Sequence, residues 1–126
     1  MIDVQPEQLT PRLKHKPLEK VVTLVLEGEI CQTELGEIFE MLLRLAGRNS
    51  SQVVIDLTEV THLDYRGVKP LILRAERFRK VGGDLKLCGL SPYVHAIFRS
   101  AGAHDTFEYY ATPDEARAAF SSIGLR

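Results

Sequence analysis

The amino-acid sequence predicts an α/β domain in which a small central β-sheet of four to five largely parallel strands is packed with four helices. The first observation is an alternation, because a strand-sized apolar run is followed four times by a segment with apolar residues at helical spacing. The second is that the connections are short, as in right-handed strand–helix–strand units. The third is the composition: 44% hydrophobic and 26% charged residues in a chain of 126 are typical of a globular domain. The strand order does not follow from this pattern.

The N-terminal residues differ from the rest of the chain. Residues 1–20 are polar and contain three prolines, which predicts an arm with at most one edge strand, near Leu9–Leu13. Residues 21–126 are predicted to form a single domain. We see no apolar segment long enough for a secretory signal or a membrane span, so we expect a cytoplasmic protein without membrane insertion.

The first half of the domain contains two predicted strands around one helix. VVTLVLEG, residues 21–28, reads as a buried strand that closes at Gly28. A helix is expected to start near Thr33, with Thr33 as its N-cap, and to end at Gly47. Its apolar face is formed by Leu35, Ile38, Phe39, Leu42, Leu45 and Ala46. SQVVIDL, residues 51–57, is the second predicted strand.

The second half repeats the pattern. A helix over residues 68–80 stops at a Gly82-Gly83 pair, and its apolar face is Val68, Leu71, Ile72, Ala75 and Phe78. Residues 84–89 and 106–110 are predicted strands. Two helix starts are marked by local signals: Ser91 precedes a proline, and Thr112 precedes Pro-Asp-Glu and completes a capping box with Glu115.

Several functional classes lack support in the sequence. A net charge of −1 argues against a dedicated nucleic-acid-binding protein. Neither a GxGxxG nor a GxxxxGK[ST] motif is present, so we expect no phosphate-binding loop and no cofactor. Cys31 and Cys88 form no CxxC pair, and the four histidines are scattered, which predicts neither a metal site nor a catalytic set. Cys88 is expected to be a reduced core residue.

The turn within THLDYRGVKPL, residues 61–71, is the unusual feature of this chain. Asp64 ends a strand-to-helix loop, where its carboxylate can accept backbone N–H groups from the first helical turn. Gly67 allows a close approach of the backbone to a partner. Between them lie Tyr65 and Arg66, a bulky aromatic and a cation where short polar residues are usual. We therefore expect the function of the protein to depend on this turn.

The ordered set of motifs around the turn resembles the STAS domain. The matching features are the strand ending in Asp56-Leu57, the Leu63-Asp64 pair with Gly67 three residues later, the Gly82-Gly83 helix end, the strand to Cys88-Gly89, the Ser91-Pro92 helix start, the Ala101-Gly102 stop and the final helix from Pro113. The resemblance covers roughly residues 21–121. It implies the fold of anti-sigma-factor antagonists, stressosome proteins and the cytoplasmic tails of some anion transporters.

The resemblance also implies how such a turn is used. In antagonist members of the family it reads Asp-Ser-Ser-Gly, and a partner that is both kinase and anti-sigma factor phosphorylates the second serine. Phosphate adds about −1.5 to −2 charges at the helix N-terminus. The matching residues here are Asp64, Tyr65, Arg66 and Gly67, so the phosphoacceptor position is Arg66, which accepts no phosphate from a serine kinase. We expect docking without this phosphorylation switch.

We predict a non-catalytic docking face made of loop 61–67 and helix 68–80. Asp64 and Gly67 would hold the shape of the loop, and the partner-contacting residues would be Tyr65, Arg66, Lys69, Leu73 and Arg77. The segment from Arg66 to Lys80 contains six Lys and Arg residues and one acidic residue, Glu76, and this excess of positive charge favours an acidic partner. Pro70 predicts a helix that starts late or is kinked in its first turn.

The partner classes implied by the resemblance are an anti-sigma factor or switch kinase, another STAS protein, or the ATPase of a lipid-transport ABC system. The sequence does not decide whether the chain forms a homodimer. A second hypothesis is a phosphoryl-accepting signalling domain. In it Asp56 acts as in a receiver domain, with Glu27 and Glu29 as the acidic pair, or Thr58 or Thr61 accepts phosphate. A third is an anion or nucleotide sensor at Arg66. The simplest alternative is that Tyr65 and Arg66 are only solvated loop residues.

Overall fold

The computed structural model describes residues 2–4, 21–47 and 51–124. Its elements in chain order are β1 (Ile2–Val4), β2 (Val21–Ile30), α1 (Gln32–Gly47), β3 (Gln52–Leu63), a 3₁₀ turn (Tyr65–Gly67), α2 (Val68–Lys80), β4 (Asp84–Cys88), α3 (Pro92–Ser100), β5 (Tyr109–Tyr110) and α4 (Pro113–Gly124). The edge strand predicted near Leu9–Leu13 lies outside the described residues.

The five strands form one sheet in chain order, β1-β2-β3-β4-β5. The strands β2 to β5 are parallel, and β1 pairs antiparallel with β2. This confirms the predicted largely parallel sheet packed with four helices. Receiver domains instead place their parallel strands in the order 2-1-3-4-5. The chain-order sheet therefore argues against the receiver-like use of Asp56.

The two faces of the sheet are covered differently. Consecutive right-handed crossovers in one direction bring α1, α2 and α3 to the same face, and these helices enclose the larger core with the inward residues of β2, β3 and β4. The helix α4 covers the other face, where Val54 and Cys88 pack against Ala116 and Phe120. Arg117 of α4 also donates hydrogen bonds to the backbone oxygen of Val21 (3.1 Å) and to Thr23 Oγ1 (2.8 Å).

A buried lysine on β4 was not anticipated from the sequence. The side chain of Lys86 is fully buried beneath α4, and its ammonium lies 4.7 Å from the ring centre of Phe120. It donates to Glu108 Oε1 at 2.5 Å and to Asp84 Oδ2 at 3.3 Å. Hydrogen bonds from Lys86 and Tyr110 to the Glu108 carboxylate lower its pKa. The buried charge is thus paired, as a buried ammonium requires.

Three strand predictions were wrong in extent. Gly28 does not end β2; it lies at φ +81° beside register shifts, and the strand continues to Ile30. The second strand runs to Leu63 rather than to residue 57, so residues 61–63 of the predicted docking loop belong to β3. The predicted strand at 106–110 is reduced to Tyr109–Tyr110.

Of three predicted helix N-caps, the structure confirms one in full and one in part, and contradicts the third. Ser91 Oγ accepts the N–H of Val94 at 3.2 Å, which confirms this N-cap. Thr112 Oγ1 accepts the N–H of Glu115 (3.2 Å), but Glu115 Oε1 accepts the N–H of Ala111 (3.3 Å) rather than that of Thr112, which the predicted capping box requires. The N-cap predicted at Thr33 is wrong because α1 begins at Gln32 and Glu34 Oε1 accepts the N–H of Cys31 (3.0 Å).

Candidate functional site: a docking turn between β3 and α2

The turn projects beyond the main sheet. The strand β4 ends opposite Asp56, while β2 and β3 continue as a pair as far as Ile30 and Leu63. The N–H of Asp64 then donates to the backbone oxygen of Ile30 at 2.9 Å. The extended pair therefore positions the turn with backbone hydrogen bonds rather than leaving it as a free loop.

Asp64 and Arg66 form a closed unit. The Asp64 Oδ1 atom accepts the backbone N–H of Arg66 (3.0 Å), which is the capping role predicted for this carboxylate. The guanidinium of Arg66 folds back onto the same carboxylate, with Nε 3.1 Å from Oδ1 and Nη2 2.7 Å from Oδ2. This two-point contact fixes the direction of the guanidinium plane.

The ion pair defines the electrostatics of the turn. Hydrogen bonds from the side chain and backbone of Arg66 lower the pKa of Asp64 to about 2. The same contact raises the pKa of Arg66 above its ordinary value. The Arg66 side chain is 62% exposed, so the predicted basic surface exists, but its charge is matched by Asp64. The carboxylate already takes the place that a bound anion would need, which argues against the anion-sensor hypothesis.

The backbone of the turn packs closely against α1 at Gly67. It is buried, and its N–H donates to the backbone oxygen of Asp64 at 2.9 Å. A Cβ atom at this position would lie only 2.6 and 2.7 Å from the two Cδ atoms of Leu35. The close approach of Gly67 is therefore made to the core helix α1 of the same chain, whereas the sequence analysis expected it to be made to a partner.

The remaining predicted contact residues lie on the outside. Tyr65 is 65% exposed and Leu73 is 54% exposed, while Lys69 and Arg77 are also exposed along α2. The helix starts at Val68, and Pro70 lies in its first turn, where a backbone N–H would have no partner inside the helix. Pro70 therefore fits without loss of a helical hydrogen bond.

The sequence interpretation missed the contribution of α3. The ring of His62 stacks on Tyr93, with 5.8 Å between centroids, and His62 Nδ1 lies 2.8 Å from the Tyr93 hydroxyl oxygen. Tyr93 is itself 55% exposed. A shallow cleft between the turn and α3 is lined by His62, Tyr65, Arg66 and Ile97, among others. A surface that combines Tyr65 with Tyr93 was not visible in the sequence because 28 residues separate them.

The cations of the turn and α2 fall into two groups. Arg66 is paired with Asp64, and Arg79 donates to Asp84 Oδ1 (2.7 Å) and to the backbone oxygen of Thr106 (2.8 Å). Within the described residues, the following have no ion pair: Lys69, Arg74, Arg77 and Lys80. The free positive charge therefore lies along α2 rather than at the turn.

The other candidate groups have local roles. Asp56 Oδ1 accepts both the N–H (3.0 Å) and the hydroxyl (2.6 Å) of Thr58, which occupies that carboxylate oxygen. Burial raises the pKa of the Cys88 thiol to about 12, with the Asp56 carboxylate as a second cause. In the ranges that the structure describes, no three His, Cys, Asp or Glu residues are grouped as metal ligands. No helix within them is long and apolar enough to cross a membrane.

The chain is similar in sequence to STAS domain proteins. The family model described as STAS domain matches residues 12–116. An anti-sigma factor antagonist of Bordetella bronchiseptica, BtrV, is 24% identical over 111 residues, which cover 88% of this chain and 96% of the relative.

Solved structures show the same fold. An anti-sigma factor antagonist from Mycobacterium paratuberculosis has a TM-score of 0.73 at 21% identity, covering 96% of this chain and 95% of that chain. The unphosphorylated form of the antagonist SpoIIAA has a TM-score of 0.69 at 20% identity, covering 86% of this chain and 92% of that chain. SpoIIAA is described as a Bacillus cell fate determinant that also has a phosphorylated form. With a family match over most of its length, the chain belongs to the STAS domain family.

Proposed function

We propose that this protein is a non-catalytic regulatory module that acts in the cytoplasm by docking onto a protein partner. The docking face consists of the turn at residues 64–67, the outer side of α2 and the exposed part of α3 next to the turn. The single observation that carries this proposal is the exposed Tyr65 beside a turn held rigid by Asp64 and Arg66. Aromatic and arginine side chains on a fixed backbone are typical of interface hot spots.

The charge and apolar content of this face fit a protein partner. Leu73 is exposed among the unpaired cations of α2, and Tyr93 extends the aromatic surface from the turn to α3. An acidic partner would gain electrostatic attraction along α2 and apolar contacts at the turn. The nature of the relatives supports an anti-sigma factor as the partner, since BtrV and SpoIIAA are both described as anti-sigma factor antagonists. Another STAS protein or a transporter ATPase is the alternative partner.

The proposal includes the loss of the family's switch. Arg66 occupies the position of the phosphoacceptor serine and has no hydroxyl group. Its guanidinium donates hydrogen bonds from Nε and Nη2 to the two carboxylate oxygens of Asp64, so the turn has one charge state at physiological pH. Docking is then controlled by the partner or by the amount of this protein, and not by a phosphate on the turn.

Binding to purified anti-sigma factors from the same genome tests the docking face. We expect Tyr65→Ala and Leu73→Asp to weaken the affinity by about tenfold or more in biolayer interferometry, since the first truncates an exposed anchor and the second replaces one with a carboxylate. His104→Ala is the matched control, because His104 is exposed in a loop outside the face. Equal affinities for wild type, Tyr65→Ala and Leu73→Asp would refute the proposed face.

Phosphorylation tests the loss of the switch separately. Wild type and Arg66→Ser are incubated with the partner kinase and ATP, and the intact masses are measured. We expect the mass of one phosphate on Arg66→Ser and none on the wild type. A phosphate on the wild-type protein would show that a hydroxyl elsewhere has taken over the switch.

A further inference from the structure

A second surface feature lies at the other end of α2 from the turn, where the C-terminal ends of α1 and α2 run side by side. A cleft of about 500 Å³ opens between them, and we call it the basic groove. Its apolar wall is formed by Leu43 and Ala46 of α1 together with Phe78 and Val81. Leu43 and Val81 are 54% and 71% exposed, which leaves much of this wall in contact with solvent.

The polar lining of the basic groove is cationic. Its charged lining residues are Arg74, Arg77 and Lys80, Ser51 is also part of the lining, and none of the described residues that line it has a carboxylate. None of the three forms an ion pair with any residue that the structure describes. Arg77 and Lys80 lie in the last turn of α2, where cations stabilise the helix macrodipole. Arg74 lies outside that turn and is half-buried, so the macrodipole does not account for it.

The exposed apolar side chains are not scattered over the surface. Among the described residues, five large hydrophobic side chains are exposed: Leu43, Tyr65, Leu73, Val81 and Tyr93. Tyr65 and Tyr93 belong to the docking face at the turn. Leu43 and Val81 line the basic groove, and Leu73 lies one helical turn before Arg77. Single exposed leucines are ordinary, whereas two exposed apolar side chains that line the same cleft indicate an interaction site.

We propose that the basic groove binds an acidic segment of a protein partner, in which an apolar side chain is flanked by carboxylates. The apolar side chain fills the cleft against Leu43 and Val81, and the carboxylates pair with Arg74, Arg77 and Lys80. Charge complementarity selects this occupant, because three unpaired cations surround an apolar wall. The concave shape favours an inserted side chain over a flat lipid surface.

This inference rests on the proposed function, since it specifies the chemistry of the partner and adds α1 to the contact surface. The turn and the basic groove lie at opposite ends of α2, which spans 13 residues. At about 1.5 Å per residue a helix of this length measures roughly 20 Å. One partner can therefore contact both places, yet substitutions at each can be made separately.

Chemical-shift mapping by NMR tests the basic groove with a defined probe. The probe is a synthetic peptide in which one leucine is flanked by glutamates. One matched peptide has serine in place of that leucine, and another has lysines in place of the glutamates. We expect the leucine–glutamate peptide to shift the amide signals of residues 43–46 and 74–81 and to leave those of 64–67 unchanged. We expect neither matched peptide to shift any of these signals.

Variants identify the groups involved. We expect Leu43→Asp and Lys80→Glu each to reduce the peptide affinity about tenfold. Arg99→Glu is the matched control for charge, because Arg99 is exposed in the last turn of α3 and does not line the basic groove. Tyr65→Ala should leave peptide binding unchanged, so failure of the groove and failure of the docking turn give different results.

Three results would overturn the inference. The first is the absence of shifts at millimolar peptide, or equal binding of the leucine and serine peptides. The second is a concentration-dependent dimer that Leu43→Asp dissociates, which would make the occupant a second copy of this chain. The third is sedimentation with anionic phosphatidylglycerol vesicles that Lys80→Glu abolishes, which would assign the surface to a membrane.

Discussion

The contact between Gly67 and Leu35 makes a quantitative prediction about how the docking turn is held. In Gly67→Ala the new Cβ atom would approach the Cδ atoms of Leu35 to 2.6 and 2.7 Å, about 1 Å inside normal carbon–carbon contact. Gly67 has φ −82° and ψ −11°, so the backbone conformation itself suits alanine. The cost is therefore steric. Overpacking of this kind costs about 1–3 kcal/mol.

A smaller effect opposes this cost. Replacing glycine by alanine at a compatible backbone position stabilises a protein by about 0.4–1 kcal/mol, because the unfolded chain has fewer conformations. The net expectation for Gly67→Ala is a loss of about 1–2 kcal/mol in the free energy of unfolding. We expect urea titration followed by circular dichroism to show this loss.

Two further variants isolate the steric term. Gly36→Ala is the control, because Gly36 is a helical glycine of α1 with no atom within 4 Å of its ideal Cβ, and it should stabilise by about 0.5–1 kcal/mol. Leu35→Ala alone should cost about 2–5 kcal/mol as a core truncation. In the double variant the clash is absent, so its loss should be smaller than the sum of the two single losses. Strict additivity, or a stabilising Gly67→Ala, would refute this account of the turn.

The remaining predictions concern caps and charges. Ser91→Ala should lower the free energy of unfolding by about 1 kcal/mol in urea titration, since the N–H of Val94 loses its side-chain acceptor. Glu108→Gln should cost about 1–3 kcal/mol because the buried Lys86 ammonium loses its nearest carboxylate, and adding Lys86→Met should recover most of that loss; a double variant no more stable than Glu108→Gln would contradict this. The Asp64 carboxylate has its pKa lowered to about 2, so its stabilising effect is complete above its unfolded-state pKa of about 4 and is lost as the pH falls towards 2. In Asp64→Asn the decline in stability between pH 4 and pH 2 should be shallower than in wild type, as measured by thermal melts across that range.

Local signals in the sequence predicted much of the fold. The Ser91 and Thr112 caps depend on residues within one helical turn, so their chemistry can be read without knowing the tertiary structure. The alternation of strands and helices predicted a largely parallel sheet because a parallel connection needs a crossover helix. The capping role of Asp64 followed in the same way, since its partner is the N–H only two residues later.

Features fixed by distant partners escaped prediction. The strand β3 looked shorter because its extension is buried at Val60 and Leu63, a spacing of three that breaks the alternation expected of a strand. That spacing is allowed by two register shifts between β2 and β3, at each of which β3 has one extra residue, and the sequence contains no signal for them. The predicted strand at 106–110 was too long because Phe107 turns into the core against Phe98 under α3.

The candidate site shows the same division between local and distant effects. The sequence identified Leu73 and three cations of α2 as surface residues, because helical geometry places them off the apolar stripe. It identified Tyr65 from its position in the turn before the helix. It could not identify Tyr93, whose stacking on His62 depends on how α3 packs beside the end of β3. Leu43 was missed for a similar reason, since an exposed leucine gains meaning only when Val81 and Arg74 line the same cleft.

In the proposed function, the arrangement of the turn bears on how a STAS protein with arginine at position 66 can be regulated. The N–H of Asp64 is bonded to Ile30, its backbone oxygen accepts from Gly67, and its carboxylate accepts three hydrogen bonds from Arg66. A serine at position 66 would remove the two hydrogen bonds that the guanidinium donates to the Asp64 carboxylate. A phosphate on that serine would lie beside the carboxylate, and the two negative groups would repel each other. With arginine at this position the carboxylate is paired, so in the proposed function the two states that phosphorylation would distinguish are reduced to one. In the proposed function a change in partner binding must therefore originate outside the turn. The cations of α2 that have no ion pair among the described residues are the groups on this face that can pair with carboxylates of a partner.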